Sequence, residues 1–332
     1  MRVVLIGVSH WHAPHYYRAL AKLSTAQNVG VSDPNPAALQ RVCSATGAPG
    51  FADYRQMLDA QKPDFAFVFA RHSQLAATAQ HLVEKGIPFV VEKPAGMNRS
   101  EVAALRDAVA AKGLHAGTGF NFRVSDFYRE VTALLKDDEA TWASFRFIAG
   151  SPQRYRDNGC DWMLDPATSG GGSCINLSVH LFDLFRQFTR SDPSQVTALM
   201  GHQSYGLPIE DYAAVTLRSA KAVCTTESGY SFPGKTLWDL RFCVRMHQHY
   251  VILRNDNMIE IYRNDTGALR EVATAASGNA YWYAAFVEES LARFAQDRPP
   301  VADLDDLVAA MAVVDAAYAS DRQNGQAQVP VG

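Results

Sequence analysis

Short apolar runs alternate with helix-length segments along the first 120 residues of the chain. Runs suited to buried strands lie at residues 3–6, 29–32, 65–69, 89–91 and 115–119. Segments with the character of helices lie between them, at residues 14–23, 36–46, 54–60, 74–85 and 100–112. Strands that alternate with helices of this length are joined by right-handed crossovers. This part of the chain therefore predicts an α/β fold with a doubly wound parallel sheet.

The later part of the chain shows a different pattern. Strand-like runs follow one another without long helices between them, at residues 142–148, 196–201, 213–217, 223–228, 240–246, 250–254 and 258–262. Antiparallel pairing is the economical arrangement for such runs, and Asn255-Asp256-Asn257 predicts a hairpin turn between the last two. Helices are expected at residues 280–294 and 304–318. A length of 332 residues, 48% of them hydrophobic, suffices for about two domains.

The charge and the cysteine content exclude several classes of protein. A net charge of −3 and a pI near 6.4 give no electrostatic basis for binding nucleic acid or an anionic membrane. No apolar run approaches the roughly 18 residues that span a bilayer, and the run at residues 3–6 is too short for a signal peptide. The five cysteines form no CxxC pair. They are typical of reduced thiols, so we expect a cytoplasmic protein.

Charged side chains follow two of the predicted parallel strands. Glu92 and Lys93 come directly after residues 89–91, and Asp33 comes directly after residues 29–32. Open α/β sheets bind ligands at the carboxyl ends of their strands. A carboxylate at the position of Asp33 can accept hydrogen bonds from an adenosine ribose and would repel a ribose phosphate, which favours NAD over NADP. For Glu92 and Lys93, the alternative is a strand end whose charges simply reach water. For Asp33, the alternative is an acidic residue at the N-terminus of the following helix.

The turn after the first strand departs from the dinucleotide-binding pattern G-x-G-x-x-G. It reads Gly7-Val8-Ser9-His10-Trp11-His12. Ser9 still permits a fairly close backbone approach, whereas His12 must either loosen helix packing or fill space toward a ligand. His10, His12 and His15 also form an H-x-H-x-x-H pattern that could ligate a metal. Because no second histidine pair follows later strands, we expect histidines that line a cleft, and no metal.

Five landmarks together resemble the Gfo/Idh/MocA family of sugar and polyol oxidoreductases, over nearly the whole chain. They are the opening strand, Asp33-Pro34, Glu92-Lys93-Pro94, Gly119-Phe120-Asn121-Phe122-Arg123, and the run S-G-G-G-S-C-I-N-L-S-V-H-L-F-D from Ser169 to Asp183. The resemblance implies a Rossmann dinucleotide-binding domain at residues 1–122. It also implies a C-terminal α/β domain at residues 123–332 with a large open antiparallel sheet. An open sheet face usually needs covering, so we expect a homodimer or homotetramer.

The resemblance also assigns roles to individual residues. Lys93 matches the lysine that holds the substrate oxygen beside the nicotinamide, and His180 matches the acid/base histidine. Asp183 matches a ligand of a substrate hydroxyl. Asn176 stands where sugar dehydrogenases usually carry Asp, so it would orient His180 without raising its pKa. The spacing of residues 176, 180 and 183 places them on one helix face.

The remaining expected contacts divide between a cofactor and a substrate. The expected cofactor contacts are Gly7, Ser9, His10, Trp11, His12, Asp33, Arg71, His72, Glu92 and Lys93. The expected substrate contacts are Lys93, Asn121, Arg123, Trp162, Asn176, His180 and Asp183, with Arg154 and Arg156 as further candidates. Ala70-Arg71-His72 departs from the family's usual Thr-Pro-Asn, and Leu75 replaces its usual histidine.

The sequence therefore predicts an NAD(P)-dependent dehydrogenase that oxidises a secondary hydroxyl of a sugar, polyol or derivative. His180 would take the hydroxyl proton with a pKa near 6.5. Two alternatives stay open: a lyase or glycosidase that recycles tightly bound NAD, and a non-catalytic sugar-binding protein on the same fold. For His180 itself, the alternative is a core histidine among Leu177, Leu181 and Phe182.

Overall fold

The computed structural model describes residues 1–234, 238–255, 258–274 and 279–331. Its N-terminal sheet is parallel, with the strand order β3-β2-β1-β4-β5-β6. The strands are β1 (Arg2–Ile6), β2 (Gln27–Ser32), β3 (Gly50–Phe51), β4 (Phe65–Val68), β5 (Phe89–Val91) and β6 (Ala116–Thr118). Helices α1 (Ala13–Leu20), α2 (Pro36–Thr46), α3 (Tyr54–Gln61), α4 (His72–Lys85) and α5 (Arg99–Lys112) connect them. The predicted doubly wound parallel sheet is confirmed.

The strand order reverses beside β1, which fixes the place for a ligand. Leu5 of β1 pairs with Val31 of β2 on one side and with Phe67 of β4 on the other. The crevice beyond the carboxyl ends of β1 and β4 is therefore the topological switch point of the sheet. The edge strand β3 was not predicted, because its two residues are too short to show any periodicity.

The second sheet has the order β14-β13-β12-β11-β7-β10-β9-β8 within the described residues. Its strands are β7 (Ala140–Gly150), β8 (Gln195–Gly201), β9 (Tyr212–Arg218), β10 (Val223–Phe232), β11 (Trp238–Met246), β12 (His249–Arg254), β13 (Met258–Arg263) and β14 (Leu269–Ala273). The expected antiparallel pairing holds except between β7 and β10, which are parallel. The long segment between these two strands supplies the crossover that a parallel pair needs. Strand β14 was missed because it is mostly exposed and lacks alternating apolar residues.

Helices cover one face of the second sheet and also join it to the first. They are α6 (Asp126–Leu134), α7 (Gln153–Asp157), α8 (Pro166–Ser169), α9 (Val179–Thr189), α10 (Asn279–Ala295) and α11 (Leu304–Arg322). Phe286 of α10 packs in the core that contains Val3 and Leu5 of β1. The backbone N–H of Thr118 donates to the carbonyl of Ala302, just before α11. The chain therefore returns to pack against its N-terminal sheet.

The other face of the second sheet carries half-buried polar and aromatic side chains. The guanidinium of Arg146 pairs with Glu227 across the β7–β10 ladder, and Trp142 packs edge-on against Tyr250 at 5.6 Å. Strands β12 and β13 pair as the predicted hairpin, although Asp256 and Asn257 of its turn lie outside the described residues. No helix in the described ranges is both long and apolar enough to cross a membrane.

Candidate active site

Two cavities flank the first turn and the carboxyl end of β5. The first, of about 480 Å³, is lined by the turn after β1, the end of β2 and the start of α4. The second, of about 430 Å³, lies between the first turn, Lys93 and the second domain. The expected cofactor residues Gly7, Ser9, His10, Asp33 and Arg71 line the first cavity. Lys93, Asn121 and His180 line the second.

Gly7 and Asp33 shape the first cavity together. Gly7 has φ +82°, and a Cβ placed on it would lie 2.2 Å from the carbonyl oxygen of Phe69, so only glycine fits. The backbone N–H groups of Ser9 and Asn35 donate to the two carboxylate oxygens of Asp33, at 2.6 and 2.8 Å. Each carboxylate oxygen has a second lone pair. Asp33 is therefore held in place and can still accept hydrogen bonds from a ribose.

The histidines of the first turn divide between the two cavities. His10 lines the first cavity, where its ring lies 5.7 Å from that of Trp162. His12 lines the second, where Nδ1 lies 2.8 Å from the hydroxyl of Tyr283 and 3.1 Å from Oε1 of Glu92. Burial lowers the pKa of both histidines well below the usual value. The side chain of His12, which stands at the third glycine position of the pattern, therefore occupies the space between Tyr283 and Glu92. Among the described residues, no group of three or more His, Cys, Asp or Glu side chains could hold a metal ion.

Arg71 precedes α4 and His72 is its first residue, and the two side chains have different environments. Arg71 is exposed and lines the first cavity. His72 is buried, and its Nδ1 lies 2.7 Å from the carbonyl oxygen of Ser169. Because burial lowers the pKa of His72 to about 3, the ring is neutral and donates its Nδ1 proton to that carbonyl. The structure therefore places His72 in packing contact with the second domain and not on the cavity wall.

Glu92 lies behind the cavity walls and supports their residues. Its Oε1 accepts a hydrogen bond of 2.8 Å from the hydroxyl of Tyr16 and also faces His12. Its Oε2 is buried beside Gly119, without a hydrogen-bond partner in the described part of the chain. A Cβ on Gly119 would lie only 3.1 Å from this oxygen. Glu92 therefore fixes α1 and the first turn against the end of β5.

Lys93 and Asn176 are joined by two short hydrogen bonds. The Nζ of Lys93 donates to the carbonyl oxygen and to the side-chain oxygen of Asn176, both at 2.6 Å. The Nδ2 of Asn176 in turn donates to the hydroxyls of Tyr155 and Tyr230, at 2.8 and 2.9 Å. Burial lowers the pKa of Lys93 to about 8. The expectation that Asn176 would orient His180 is therefore corrected, since its amide is engaged elsewhere.

The backbone around Asn176 explains this orientation. Residues Cys174–Ser178 form a π-helical turn that leads into α9. The backbone N–H groups of Gly172 and Cys174 both donate to the buried carboxylate of Glu210, at 2.8 Å. The wider turn rotates Asn176 relative to the regular helix spacing assumed for residues 176, 180 and 183. As a result, the three side chains do not share one site: Asn176 contacts Lys93, His180 lines the second cavity, and Asp183 contacts Arg123.

His180 lines the second cavity but is nearly buried. Its ring packs edge-on against Phe120 and Phe122, with centroids 5.7 and 5.2 Å away. Its Nδ1 has no hydrogen-bond partner in the described part of the chain. Burial and the charge of Lys93 lower the pKa of His180 well below 6.5. The expectation of a pKa near the ordinary value is therefore wrong, because the aromatic surroundings disfavour the imidazolium.

Arg123 and Asp183 bind each other instead of lining the second cavity. The Nε and Nη2 atoms of Arg123 donate to the two carboxylate oxygens of Asp183, and Nη1 donates to Asp306 of α11 at 2.8 Å. Burial raises the pKa of Asp183, an effect that Arg123 opposes. This arrangement ties Asn121–Val124, α9 and α11 together. It does not support the substrate contacts expected for these two residues.

Trp11 and Trp162 each line the cavity that was expected for the other. Trp162, expected at the substrate, lines the first cavity, and Trp11, expected at the cofactor, lines the second. Arg154 also lines the second cavity, whereas Arg156 is exposed outside it. Sequence reasoning missed Tyr155, Tyr230 and Tyr283, because they converge from three distant segments and no local motif marks them.

Two family models match the chain in consecutive order. The oxidoreductase family model with an NAD-binding Rossmann fold, GFO_IDH_MocA, matches residues 1–120. The C-terminal domain model of the same family matches residues 139–252, so together the two models cover more than half of the chain. The chain belongs to the Gfo/Idh/MocA oxidoreductase family. The first cavity of this family member lies mostly within the Rossmann match, and Gly7 and Asp33 fit a dinucleotide there.

Individual relatives of this Gfo/Idh/MocA chain are distant. The rhizopine catabolism protein MocA of Rhizobium meliloti is 25% identical over 198 residues, 58% of each chain. Glucose-6-phosphate 3-dehydrogenase of Bacillus subtilis is 23% identical over 56% of this chain and 52% of its own length. The matches thus span little more than half of these curated relatives. A levoglucosan dehydrogenase structure, solved with NADH and levoglucosan, shares the fold, with a TM-score of 0.87, 15% identity and full coverage of both chains.

Proposed function

We propose that this protein is an NAD-dependent dehydrogenase that oxidises a secondary hydroxyl of a sugar, polyol or related compound. The observation that carries the proposal is the placement of Lys93 in the second cavity, with two of its hydrogen bonds directed to Asn176. Relatives that act on sugar phosphates and anhydrosugars support this substrate class. A bound nicotinamide dinucleotide would supply the hydride acceptor.

The two contacts to Asn176 leave one position on the Lys93 nitrogen for a substrate. An ammonium group has three N–H donors, and two of them point to the oxygens of Asn176. The third donor can bind the reacting oxygen, and loss of that proton leaves a lone pair at the same place. Because the pKa of Lys93 is about 8, both forms are accessible near neutral pH. We therefore assign acceptance of the hydroxyl proton to Lys93.

His180 takes a supporting role in this scheme. Its lowered pKa keeps the imidazole neutral at physiological pH, so it is a weak proton acceptor. A neutral imidazole can still donate one hydrogen bond and accept another. His180 would orient the reacting hydroxyl toward Lys93, while Asn121 supplies a further polar contact in the same cavity. Asn176 holds Lys93, and Arg123 and Asp183 hold the elements that carry the site.

Asp33 favours NAD over NADP in this proposal. Its carboxylate lies in the first cavity at the end of β2 and is fixed by two backbone donors. A ribose diol can bind the carboxylate, whereas a ribose phosphate would meet a like charge. Gly7, Ser9, His10 and Arg71 would hold the rest of the dinucleotide along the same cavity.

The assembly and the location are also proposals. The half-buried face of the second sheet, with Trp142 and Tyr250, would be covered in a homodimer or homotetramer. All five cysteines are free thiols, as suits a reducing cytoplasm.

Coenzyme binding and turnover test the proposal directly. The purified protein is titrated with NAD and NADP by calorimetry, and a panel of sugars and polyols is then screened for formation of reduced coenzyme. We expect NAD binding and NADH formation with at least one compound of the panel. Dinucleotide retained through purification without net reduction would instead support a lyase or glycosidase. Failure to bind either coenzyme would support a non-catalytic sugar-binding protein.

A further inference from the structure

The second cavity is lined by basic side chains and by no acidic ones. Among its described lining residues, the ionisable nitrogen bases are His12, His15, Arg18, Lys93, Arg154 and His180, and there is no Asp or Glu. Burial lowers the pKa of all three histidines, so they are uncharged at neutral pH. The lining side chains therefore carry a net positive charge, from two arginines and a mostly protonated lysine, which exceeds the single negative charge of Glu92 behind His12.

Arg154 is the half-buried arginine of this cavity, whereas Arg18 is exposed to solvent. Its Nη2 donates to the hydroxyl of Tyr155 at 2.9 Å, and its guanidinium lies over the rings of Tyr155, Trp11 and Tyr230 at 4.8, 5.4 and 5.4 Å. Its Nε is buried and has no hydrogen-bond partner in the part of the chain that the structure describes. The buried Arg123, in contrast, has two carboxylate partners. A buried guanidinium atom without a partner is costly, which points to a missing acceptor.

Arg154 lies close to the reacting centre proposed above. The hydroxyl of Tyr155 accepts hydrogen bonds from both Arg154 and Asn176, and the side-chain oxygen of Asn176 accepts one from Lys93. The charge of Arg154 also contributes to the lowered pKa of Lys93. A single small molecule can therefore contact both cations at once, in a cavity of about 430 Å³.

We propose that the substrate oxidised at Lys93 carries an anionic group, a carboxylate or a phosphate, that binds Arg154. This inference rests on the proposed dehydrogenase function and specifies its substrate class. A planar guanidinium held against aromatic rings is preorganised for two parallel hydrogen bonds to such a group. Arg18, exposed at the same cavity, adds attraction for an incoming anion. A hydroxyl of a neutral sugar could accept a hydrogen bond from Nε of Arg154, but it would leave the charge of the guanidinium without a counter-charge.

Binding of matched anionic and neutral compounds tests this inference without requiring turnover. The probes are D-gluconate against D-glucitol for a carboxylate, and D-glucose 6-phosphate against D-glucose for a phosphate. Each is titrated by calorimetry into the full chain, alone and saturated with NADH, at low and high salt. We expect at least one anionic compound to bind about tenfold or more tightly than its neutral counterpart. High salt should reduce this preference.

Variants of two arginines on the same short helix identify the residue responsible. Arg154→Gln should reduce the ratio of anionic to neutral affinity by about tenfold to a hundredfold. Arg156→Gln, which changes an exposed arginine outside the cavity, should leave the ratio unchanged. The inference is overturned if neither pair shows an anionic preference, or if Arg154→Gln weakens both members of a pair equally, as loss of packing alone would. Failure of the dehydrogenase proposal would show separately, either as a lack of NADH binding or as a lack of NADH formation from NAD.

Discussion

The Nζ of Lys93 lies 2.6 Å from two oxygens of one residue, the carbonyl and the side-chain oxygen of Asn176. Because Asn176 is itself fixed by two tyrosine hydroxyls, the amine has little freedom to turn. The remaining valence of the nitrogen therefore has a defined direction before substrate arrives. Preorganisation of this kind contributes to catalysis, because the group need not be reoriented during the reaction.

Replacement of Lys93 should remove turnover while leaving coenzyme binding largely intact. We expect Lys93→Met to lower kcat by about 10²–10⁴, since a positioned acid–base group contributes about this factor. Steady-state kinetics on the compound found in the screen measure kcat, and calorimetry measures the Kd for NADH. The matched control is Lys85→Met, which removes an exposed lysine paired with Asp59. Turnover by Lys93→Met within about tenfold of wild type would contradict the role assigned to Lys93.

The pH profile should report the ionisation of Lys93. Oxidation needs the neutral amine, so kcat should rise with pH through a midpoint near the Lys93 pKa of about 8. Asn176→Asp keeps an acceptor oxygen beside the amine and adds a negative charge. The charge stabilises the ammonium form, so we expect the midpoint to move up by about 1–3 pH units and activity at neutral pH to fall.

A control for this shift is Asn158→Asp, which adds a carboxylate at the same cavity on a residue whose side chain bonds the carbonyl oxygen of Arg154 and not Lys93. Its profile should move much less than that of Asn176→Asp. If Asn176→Asp leaves the midpoint unchanged, the titration belongs to a group other than Lys93. The same conclusion follows if the midpoint is lost in His180→Ala but is still present in Lys93→Met.

The features that could be predicted from sequence are those with a local cause. Apolar runs and glycine-stopped helices specify the parallel sheet, and Asp33 follows from its place at the end of a strand. The contact of Lys93 with Asn176 joins residues 83 positions apart, so its geometry depends on packing that no motif encodes. The lowered pKa of His180 likewise arises from burial among aromatic rings contributed by another segment.

The ion pair of Arg123 should matter for stability. Removing one partner of a buried pair leaves an uncompensated charge, which costs about 3–5 kcal/mol. We expect Arg123→Met to lower the free energy of unfolding by about this amount, because Asp183 is buried and loses both donors. Urea denaturation followed by circular dichroism measures the change. Arg106→Met removes an arginine whose carboxylate partners are exposed, and should cost about 1 kcal/mol or less. Equal losses in the two variants would contradict the structural role of Arg123.

Asp33 should determine the choice between NAD and NADP. Two like charges about 4 Å apart repel by about 4 kcal/mol at an effective dielectric constant near 20, so the carboxylate can impose a preference for NAD of several hundredfold. Asp33→Asn removes the charge at nearly constant shape and leaves one of the two backbone donors without its acceptor. That loss affects both coenzymes, so the readout is the ratio of their kcat/KM values. We expect the ratio to move toward NADP by at least about tenfold, whereas Asp59→Asn, an exposed change on α3, should leave it unchanged. An unchanged ratio in Asp33→Asn would mean that another side chain of the first cavity selects the coenzyme.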